Sequence, residues 1–405
     1  MTTAEDWGSL LTRADADQEF ARLAVGASIT FALAEPERTL AIIRAGDDAP
    51  ADPVFQVVLQ PEDWESLLRD RPSPGAQHLL AFLAPRGRGT ISGDQTAFAQ
   101  HLHLVRRAIE LTADRATTSA PPPDLARITG RYVRVHVEPW GLCDVYVESA
   151  GSGDRSMVLL HTAGADSSQY HGLLSMAEGF PGYQLHAFDL PWHGRSGPAH
   201  GRGPLDYSLT SESYADCIAA VIAALNVEDR PVLVGASMAG AAVVEVAARH
   251  PQSIRAAVGC QAGPRVANRH NAWLRSPSVN QAVFVPEWTY GLMSPQSPKE
   301  FRDRVWWGYS QGGYAVYERD ITYYTQCWDI DNLAHMLDAQ TPLVVLMSGA
   351  YDYTVPPSAT KELAARIPGS LFRDMPELGH FPHAENPSVF ADHLRWALAE
   401  IDARC

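Results

Sequence analysis

Apolar and polar positions follow two regular patterns along the second half of the chain. Period-2 alternation over residues 131–138 and 142–149, with Pro139, Trp140 and Gly141 between them, predicts a β-hairpin. Six near-continuous apolar runs come later, at residues 156–161, 183–190, 231–235, 254–260, 342–349 and 370–375. Amphipathic helical stretches separate many of these runs, including residues 211–226 and 358–368. The alternation predicts a mostly parallel sheet of about eight strands, the first one or two antiparallel, with helices on both faces.

Two interruptions divide the chain. At 405 residues it is long for one hydrophobic core, so two domains are expected. Three consecutive prolines at 121–123 favour an extended spacer, and we place a Pro-rich linker at residues 116–127. The linker separates a smaller α+β domain, residues 1–115, from the α/β core. That core comprises residues 128–262 and 336–405, and residues 263–335 form an insertion within it.

The insertion is rich in aromatic side chains, with five of the ten tryptophans and six of the fourteen tyrosines. An insertion at this point of an α/β sheet lies over the carboxyl ends of the strands, where ligands bind. We therefore predict a helical lid over an apolar cleft, although a helical subdomain with internal aromatic packing would have the same composition. The candidate substrate-binding residues are Thr162, Trp288, Trp306, Trp307 and Tyr314.

A single hydroxyl, Ser237, stands between an apolar strand and a helix. Gly235, Ala239 and Gly240 around it are small, as a strained strand-to-helix turn requires. Such a turn projects the serine Oγ above the sheet edge, and the helix N-terminus favours negative charge there. A helix N-cap is the alternative role for this serine.

A serine nucleophile needs a base, and the base needs an acidic partner. His380 follows the last predicted strand and is preceded by Gly379, which frees the loop to reach Ser237. His383 is the second candidate, and we expect it at the rim or surface. Asp352 lies just beyond the strand at 342–349 and is the predicted orienting acid. Ser237, Asp352 and His380 at three strand ends predict a catalytic triad.

An oxyanion hole would come from two backbone N–H groups. The first is that of Met238, the residue after the nucleophile. The second follows the strand at 156–161, where Ala163 is the candidate and Thr162 the runner-up. Gly164 would let this loop fold close to the site, and His161 is expected to hold the loop.

In these motifs the chain resembles the α/β-hydrolase superfamily over roughly residues 128–402, which implies that fold with a lid. The motifs are HTAG (161–164), FDLPWHGRSG (188–197), GASMAG (235–240), GAYDYTVP (349–356) and GHFPHAENP (379–387). The resemblance implies a structural role for Asp189, His193 and Ser196. Two positions depart from the family pattern: Ala239 replaces the second glycine of the turn, and Thr162 replaces the glycine after the first histidine, which leaves the oxyanion donor open.

The first domain resembles the SCP2-like sterol-carrier fold, on residues 27–33, 53–68 and 87–110. That resemblance implies an apolar tunnel for lipids. Two roles remain open: the domain dimerises or stabilises the enzyme, or it loads a lipophilic substrate.

Composition excludes several classes of function. The net charge of −15 argues against nucleic acid or an anionic membrane as the main partner. No apolar run is long enough for stable membrane insertion. The N-terminus lacks a signal-peptide pattern, and five scattered cysteines indicate free thiols, so we expect a cytoplasmic protein. No motif indicates a cofactor or a metal. A homodimer is possible.

Three functions are compatible with these residues. The first is a serine hydrolase that cleaves a carboxylic ester or lactone of an apolar or aromatic small molecule through an acyl-enzyme. The second uses the same triad to hydrolyse a carbon–carbon bond of a diketone ring-fission product. The third is a non-catalytic lipid-binding or interaction protein on a decayed hydrolase scaffold. Nothing in the sequence names the substrate.

Overall fold

The apolar runs form the predicted eight-stranded sheet in a computed structural model, which describes residues 7–83, 87–113, 115–267, 269 and 271–404, apart from the side chain of Leu11. The strand order is β12-β11-β10-β9-β7-β8-β6-β5. Strands β7 to β12 are parallel, whereas β6 runs antiparallel to both β5 and β8. The strands are β5 Thr129–Val137, β6 Gly141–Gly151, β7 Arg155–Leu160, β8 Tyr183–Phe188, β9 Val232–Ala236, β10 Ala256–Cys260, β11 Leu343–Gly349 and β12 Leu371–Met375.

Both faces of this sheet are buried, which explains why its strands have continuous apolar runs. In β9, Val232 and Val234 face one hydrophobic cluster while Leu233 faces the other. Helix Met238–Arg249 packs in the Leu233 cluster, and helix Pro387–Arg404 contributes to the opposite one. The other core helices are His171–Leu174, Ser211–Leu225, Pro357–Ala365 and Pro382–Glu385.

The first domain is a smaller α+β unit with its own sheet, of order β2-β1-β3-β4. Strand β1 is parallel to β3, and the other two pairs are antiparallel. Stacked Phe31 and Phe55, with Phe98 against Phe55, occupy its core. The fold class predicted from the sequence is confirmed. The elements are β1 Ile29–Glu35, β2 Arg38–Ala45, β3 Phe55–Val58, β4 Thr90–Gly93 and helices Leu10–Ala16, Gln18–Leu23, Pro61–Leu67, Leu80–Leu83, Gln95–Gln100 and Leu102–Ala113.

The insertion between β10 and β11 is helical, as predicted. Its helices are Gln281–Tyr290, Lys299–Ser310 and Val316–Thr322, and the last continues into a π-helical turn, Tyr323–Cys327. Single π-helical turns inside helices are frequent at functional sites.

The insertion also packs against the first domain. Arg106 forms a buried ion pair with Glu287, with 2.7 Å between Nε and Oε2, and Trp306 donates to the other oxygen of Glu287 at 2.8 Å. Phe98 contacts Trp273 beside them. The two domains are therefore joined by buried polar and aromatic contacts.

Gln77 extends from the first domain to the loops of the core. Its Nε2 donates to the carbonyl oxygen of Tyr351 at 2.6 Å and to that of Gly291 at 3.3 Å. Tyr351 immediately precedes the predicted acid. Gly291 precedes Leu292, whose carbonyl oxygen accepts the backbone N–H of His380 at 2.9 Å. One side chain of the first domain thus binds the loop of the predicted acid directly and reaches the predicted base only through the segment Gly291–Leu292.

The linker was expected to be an extended spacer, and it does lack regular structure up to Asp124, but it binds along the insertion. Thr118 accepts from Lys299 N at 3.1 Å and donates to the Gln296 carbonyl at 2.7 Å. Ser119 donates to Glu300 at 2.7 Å. These contacts attach the linker to the insertion at Thr118 and Ser119, so this part of the linker is bound and is not a free spacer.

Two sequence expectations concern residues outside the described part. The signal-peptide argument partly depends on residues 1–6, and the expectation of five free thiols includes Cys405. Both residues 1–6 and Cys405 lie outside the described residues. Cys143, Cys217, Cys260 and Cys327 are free thiols, as expected.

Candidate functional site

Ser237 occupies a strained turn between β9 and helix Met238–Arg249. Its backbone has φ 59° and ψ −125°, a left-handed conformation that costs a non-glycine residue about 1–3 kcal/mol. Small neighbours make the turn possible, because a Cβ on Gly235 would lie 2.6 Å from the Ala239 carbonyl oxygen, and one on Gly240 would collide with the Cys260 carbonyl. The Ser237 N–H donates to that same carbonyl at 2.9 Å. The turn is the local geometry predicted for a nucleophile.

His380 and Asp352 form a buried pair. His380 Nδ1 lies 2.5 Å from Asp352 Oδ2. The other carboxylate oxygen accepts the N–H and O–H of Thr354, both at 2.8 Å, and the N–H of Val355 at 3.0 Å. A carboxylate only accepts, so Nδ1 carries the proton and the Nε2 lone pair is available as a base.

The sheet brings Ser237 close to this pair. Ser237 follows β9, and the loops of the acid and the base follow β11 and β12 at the same edge. Gln261, after the intervening β10, accepts from Gly349 N at 3.0 Å and donates to the Gly379 carbonyl. Tyr324 donates to the Gln261 carbonyl at 2.8 Å, and its hydroxyl is also within hydrogen-bonding reach of the Ser237 hydroxyl. Strand order and Gln261 thus connect the three predicted residues.

Arg269 contacts the predicted base directly. Its Nη1 lies 2.8 Å from His380 Nε2. A guanidinium can only donate, so it occupies the lone pair that would accept the Ser237 proton. Within the described residues, no hydrogen bond joins Ser237 Oγ to His380 Nε2. In this structure, therefore, the Nε2 lone pair of His380 is occupied by Arg269 and is not bonded to Ser237.

Burial and charge set the protonation of the pair. Burial lowers the pKa of His380 below its ordinary value, and Arg269 lowers it as well, although Asp352 opposes the shift. Burial would raise the pKa of Asp352, but His380 and the Val355 N–H hold it below its ordinary value. The favoured state is a neutral imidazole beside a carboxylate.

The hydrogen bonds in the loop after β7 distinguish between the two candidate oxyanion donors of this loop, Ala163 and Thr162. Thr162 N donates to Gln169 Oε1 at 3.0 Å, and Gly164 N donates to Asp320 Oδ2 at 2.7 Å. Ala163 N has no acceptor in the described part of the chain. Met238 begins its helix, so its N–H has no acceptor within the helix. Ala163 fits the role better than Thr162, whose N–H is already used.

Gly164 allows close approach of the insertion to this loop. Its φ is 64°, and a Cβ there would lie 2.7 Å from the Cβ of Tyr317. His161 holds the loop as expected: Nδ1 donates to the Thr162 carbonyl at 2.8 Å, and Nε2 accepts from Leu190 N at 3.1 Å.

The FDLPWHGRSG loop makes the structural contacts that the resemblance implied. Asp189 Oδ1 accepts from Ser167 N at 2.8 Å, while Ser196 Oγ donates to the Asp189 carbonyl at 2.7 Å. His193 Nε2 bonds to Asp320 at 2.9 Å.

His383 is not at the rim or surface. It is 1% exposed and stacks on Tyr170, with ring centroids 4.3 Å apart. The expectation of an exposed residue was wrong, because the helix it enters, Pro382–Glu385, is wholly buried.

The four predicted aromatic wall residues are not brought to the Ser237 turn by any ring contact or hydrogen bond in the described residues. Trp288 stacks on Phe284 within the insertion, and Trp306 donates to Glu287, the insertion residue that pairs with Arg106 of the first domain. Trp307 and Tyr314 are 63% and 78% exposed. Thr162, by contrast, is buried and shares a hydrogen bond of 2.6 Å with the Tyr309 hydroxyl.

A small cleft lies between the insertion and the oxyanion loop. Its lining includes Gly164, Leu274, Val285, Tyr309 and Tyr317. Sequence reasoning missed Tyr309, Tyr317 and Arg269. Since residues 263–275 have no regular period, no pattern in the sequence marks Arg269 as part of the site.

Two negative findings apply to the described residues. No group of three or more His, Cys, Asp or Glu side chains is arranged to hold a metal ion there. Across the same ranges, none of the helices combines the length and the apolar character needed to cross a bilayer.

Comparisons with known proteins identify the family and the fold of the core. The model of the Alpha/beta hydrolase family matches residues 157–393. The chain is similar to a pimeloyl-[acyl-carrier protein] methyl ester esterase of Yersinia enterocolitica, 26% identical over 134 residues, 33% of this chain and only 43% of that relative.

Among solved structures, an esterase from Thermogutta terrifontis matches with a TM-score of 0.55 and 18% identity, over 67% of this chain and 99% of that one. The enol-lactonase from Burkholderia xenovorans matches with a TM-score of 0.52 and 17% identity, over 66% and 99%. At such identities the likeness shows the fold.

Proposed function

Since the family match covers more than half of its length, the chain belongs to the alpha/beta hydrolase family, and from that premise we propose a serine hydrolase of carboxylic esters or lactones. The observation that carries the proposal is the His380–Asp352 pair, which leaves Nε2 basic at the sheet edge where Ser237 occupies its strained turn. We propose an apolar or aromatic small molecule as the substrate, because aliphatic and aromatic side chains form most of the side-chain lining of the cleft beside the oxyanion loop, together with Gln281 and Glu318.

The reaction would proceed through an acyl-enzyme. Ser237 Oγ attacks the carbonyl carbon while His380 Nε2 takes its proton, and Asp352 stabilises the imidazolium. The N–H groups of Met238 and Ala163 would hold the oxyanion. The alcohol then leaves with the proton from His380, and a water molecule activated by the same imidazole releases the acid. Arg269 must move off Nε2 before the first step.

The insertion would act as a lid. Ser237 and His380 are 2% and 0% exposed, so a substrate cannot reach them without an opening. We propose that the first domain stabilises the enzyme by holding this lid and the two loops that Gln77 contacts. Its SCP2-like fold, a role in loading lipid, a homodimer and a cytoplasmic location stay predictions.

Carbon–carbon hydrolysis is the second candidate, favoured by one observation. A guanidinium beside the imidazole would stabilise an enolate formed from a diketone.

Two measurements test these proposals. A fluorophosphonate probe should label Ser237 in folded protein, and p-nitrophenyl esters or lactones should be hydrolysed faster than a vinylogous 1,5-diketone. Faster turnover of the diketone would favour the second candidate. An unlabelled Ser237 without turnover of any substrate would contradict both and favour a non-catalytic binding protein.

We expect activity to persist in mild acid. Ester hydrolysis needs the neutral imidazole, and burial together with Arg269 holds the pKa of His380 below 6.5. The value of kcat/KM for a neutral ester should therefore be retained at pH 6.5 and fall only at lower pH, as protonation sets in. Arg269→Gln removes a cation and should move this fall to higher pH. A wild-type profile that falls above pH 6.5 would contradict the assignment of His380 as base.

A further inference from the structure

Arg269 is a buried cation to which no carboxylate of the described residues is bound. The side chain is 3% exposed, and its Nη1 donates to His380 Nε2 at 2.8 Å and to Thr354 Oγ1 at 3.1 Å. Its Nε is buried and has no hydrogen-bond partner among the described residues. Within that part of the chain, no carboxylate oxygen lies within ion-pair distance of the guanidinium. Arginine stays protonated in proteins, so this charge is only partly compensated.

The groups around Arg269 do not supply the missing acceptor. Asp352 is near enough to raise the pKa of the guanidinium, but hydrogen bonds to Thr354, Val355 and His380 already use both of its oxygens. Tyr324 and Tyr353 also face the cation and are neutral, because burial raises the pKa of each phenol. The imidazole of His380 is neutral as well.

Tyr317 links the guanidinium to the cleft. Tyr317 lines the cleft beside the oxyanion loop and adjoins Arg269, and its hydroxyl is buried without a geometrically aligned hydrogen-bond partner in the described residues. Arg269 and Tyr317 lie close together without an aligned hydrogen bond. The cleft beside them has mostly aliphatic and aromatic walls, and its lining also includes Gln281 and Glu318, the latter paired with Arg275. A ligand that fits has an apolar stem and an anionic end with several acceptor oxygens.

We propose that Arg269 binds a second, negatively charged group of the substrate, so that the preferred substrate is an ester or lactone that carries a free carboxylate. This inference rests on the proposed hydrolase function. A carboxylate accepts from a guanidinium better than an imidazole nitrogen does, because it is charged and can accept two hydrogen bonds at once. Binding the carboxylate would draw Arg269 off His380 Nε2 and free that nitrogen for Ser237. No proton leaves the guanidinium, and the anionic group both anchors the substrate and activates the base.

A matched pair of substrates tests the inference. The mono-p-nitrophenyl ester of glutaric acid carries a free carboxylate, and p-nitrophenyl valerate has the same chain length without it. Wild-type kcat/KM should favour the glutarate ester by about 10- to 100-fold, the factor expected for a hydrogen bond to a charged group. Arg269→Gln should abolish this preference, so that the ratio of kcat/KM for the two esters falls to about one at a pH where His380 is neutral. Arg269→Lys should restore part of the preference.

A control and a binding measurement complete the test. Arg265→Gln removes an exposed arginine of the same insertion and should keep the wild-type preference. Glutarate, titrated calorimetrically, should bind wild-type protein and bind folded Arg269→Gln at least about 10-fold more weakly. Any one of three results would overturn the inference. Folded Arg269→Gln could lose activity equally toward the glutarate and valerate esters, the wild type could show no preference between these esters, or glutarate could fail to bind the wild type. If the fluorophosphonate probe also fails, Arg269-dependent binding of glutarate would still support the anion site and only the hydrolase function would fall.

Discussion

Ser237→Ala is expected to lower kcat for ester hydrolysis by about 10³-fold or more, because triad members act as a unit and the remaining groups only bind the substrate. Alanine keeps the Cβ and the backbone at this turn, so the loss should be chemical and the fold should persist. The measurements are kcat and KM for a p-nitrophenyl ester, together with fluorophosphonate labelling.

The control is Ser278→Ala, which removes an exposed hydroxyl in the insertion and should leave kcat unchanged. Circular dichroism of Ser237→Ala should match the wild type. A folded Ser237→Ala protein that hydrolyses esters at the normal rate would refute the nucleophile assignment.

Arg106→Met is expected to lower the free energy of unfolding by about 3–5 kcal/mol, since it leaves the carboxylate of Glu287 buried without its cation. Glu287 is 0% exposed, and the Trp306 N–H would be its remaining donor. The loss should appear in urea unfolding at neutral pH, in the transition that separates the first domain from the insertion.

Two further variants sharpen this test. Lys299→Ala breaks an exposed pair with Asp303 in the same insertion and should change stability by about 1 kcal/mol or less. The double variant Arg106→Met with Glu287→Leu should recover most of the loss, because it leaves neither charge buried alone. A single Arg106→Met variant as stable as Lys299→Ala would contradict the role assigned to the pair.

The core of the fold could be predicted because its sequence signals are local. A strand buried on both faces, such as β9, must be apolar throughout, and the turn at Ser237 must have small neighbours. The order of Ser237, Asp352 and His380 along the chain then follows from the parallel strands that precede them. These residues were named from the sequence, and the structure places their loops at one sheet edge.

The cleft and the domain contact could not be predicted in the same way. A tryptophan in an amphipathic helix has the same sequence signal whether it lines a cavity or packs within its own subdomain, and Trp288 and Trp306 make their contacts within the insertion. Arg269 lies in a segment without periodicity, so only tertiary structure brings it to His380. His383 was misplaced because a short loop helix has too few residues to reveal which face is buried.

The contacts of Gln77 have a consequence for dissecting this protein. Cutting the chain at the linker would leave two inward-facing peptide oxygens, those of Tyr351 and Gly291, without their amide donor. The loop of the acid and the segment that binds the loop of the base would then lose the hydrogen bonds of Gln77, although neither belongs to the excised part. Fragments should therefore be judged first on whether the imidazole still titrates as in the intact protein, and only afterwards on their rates.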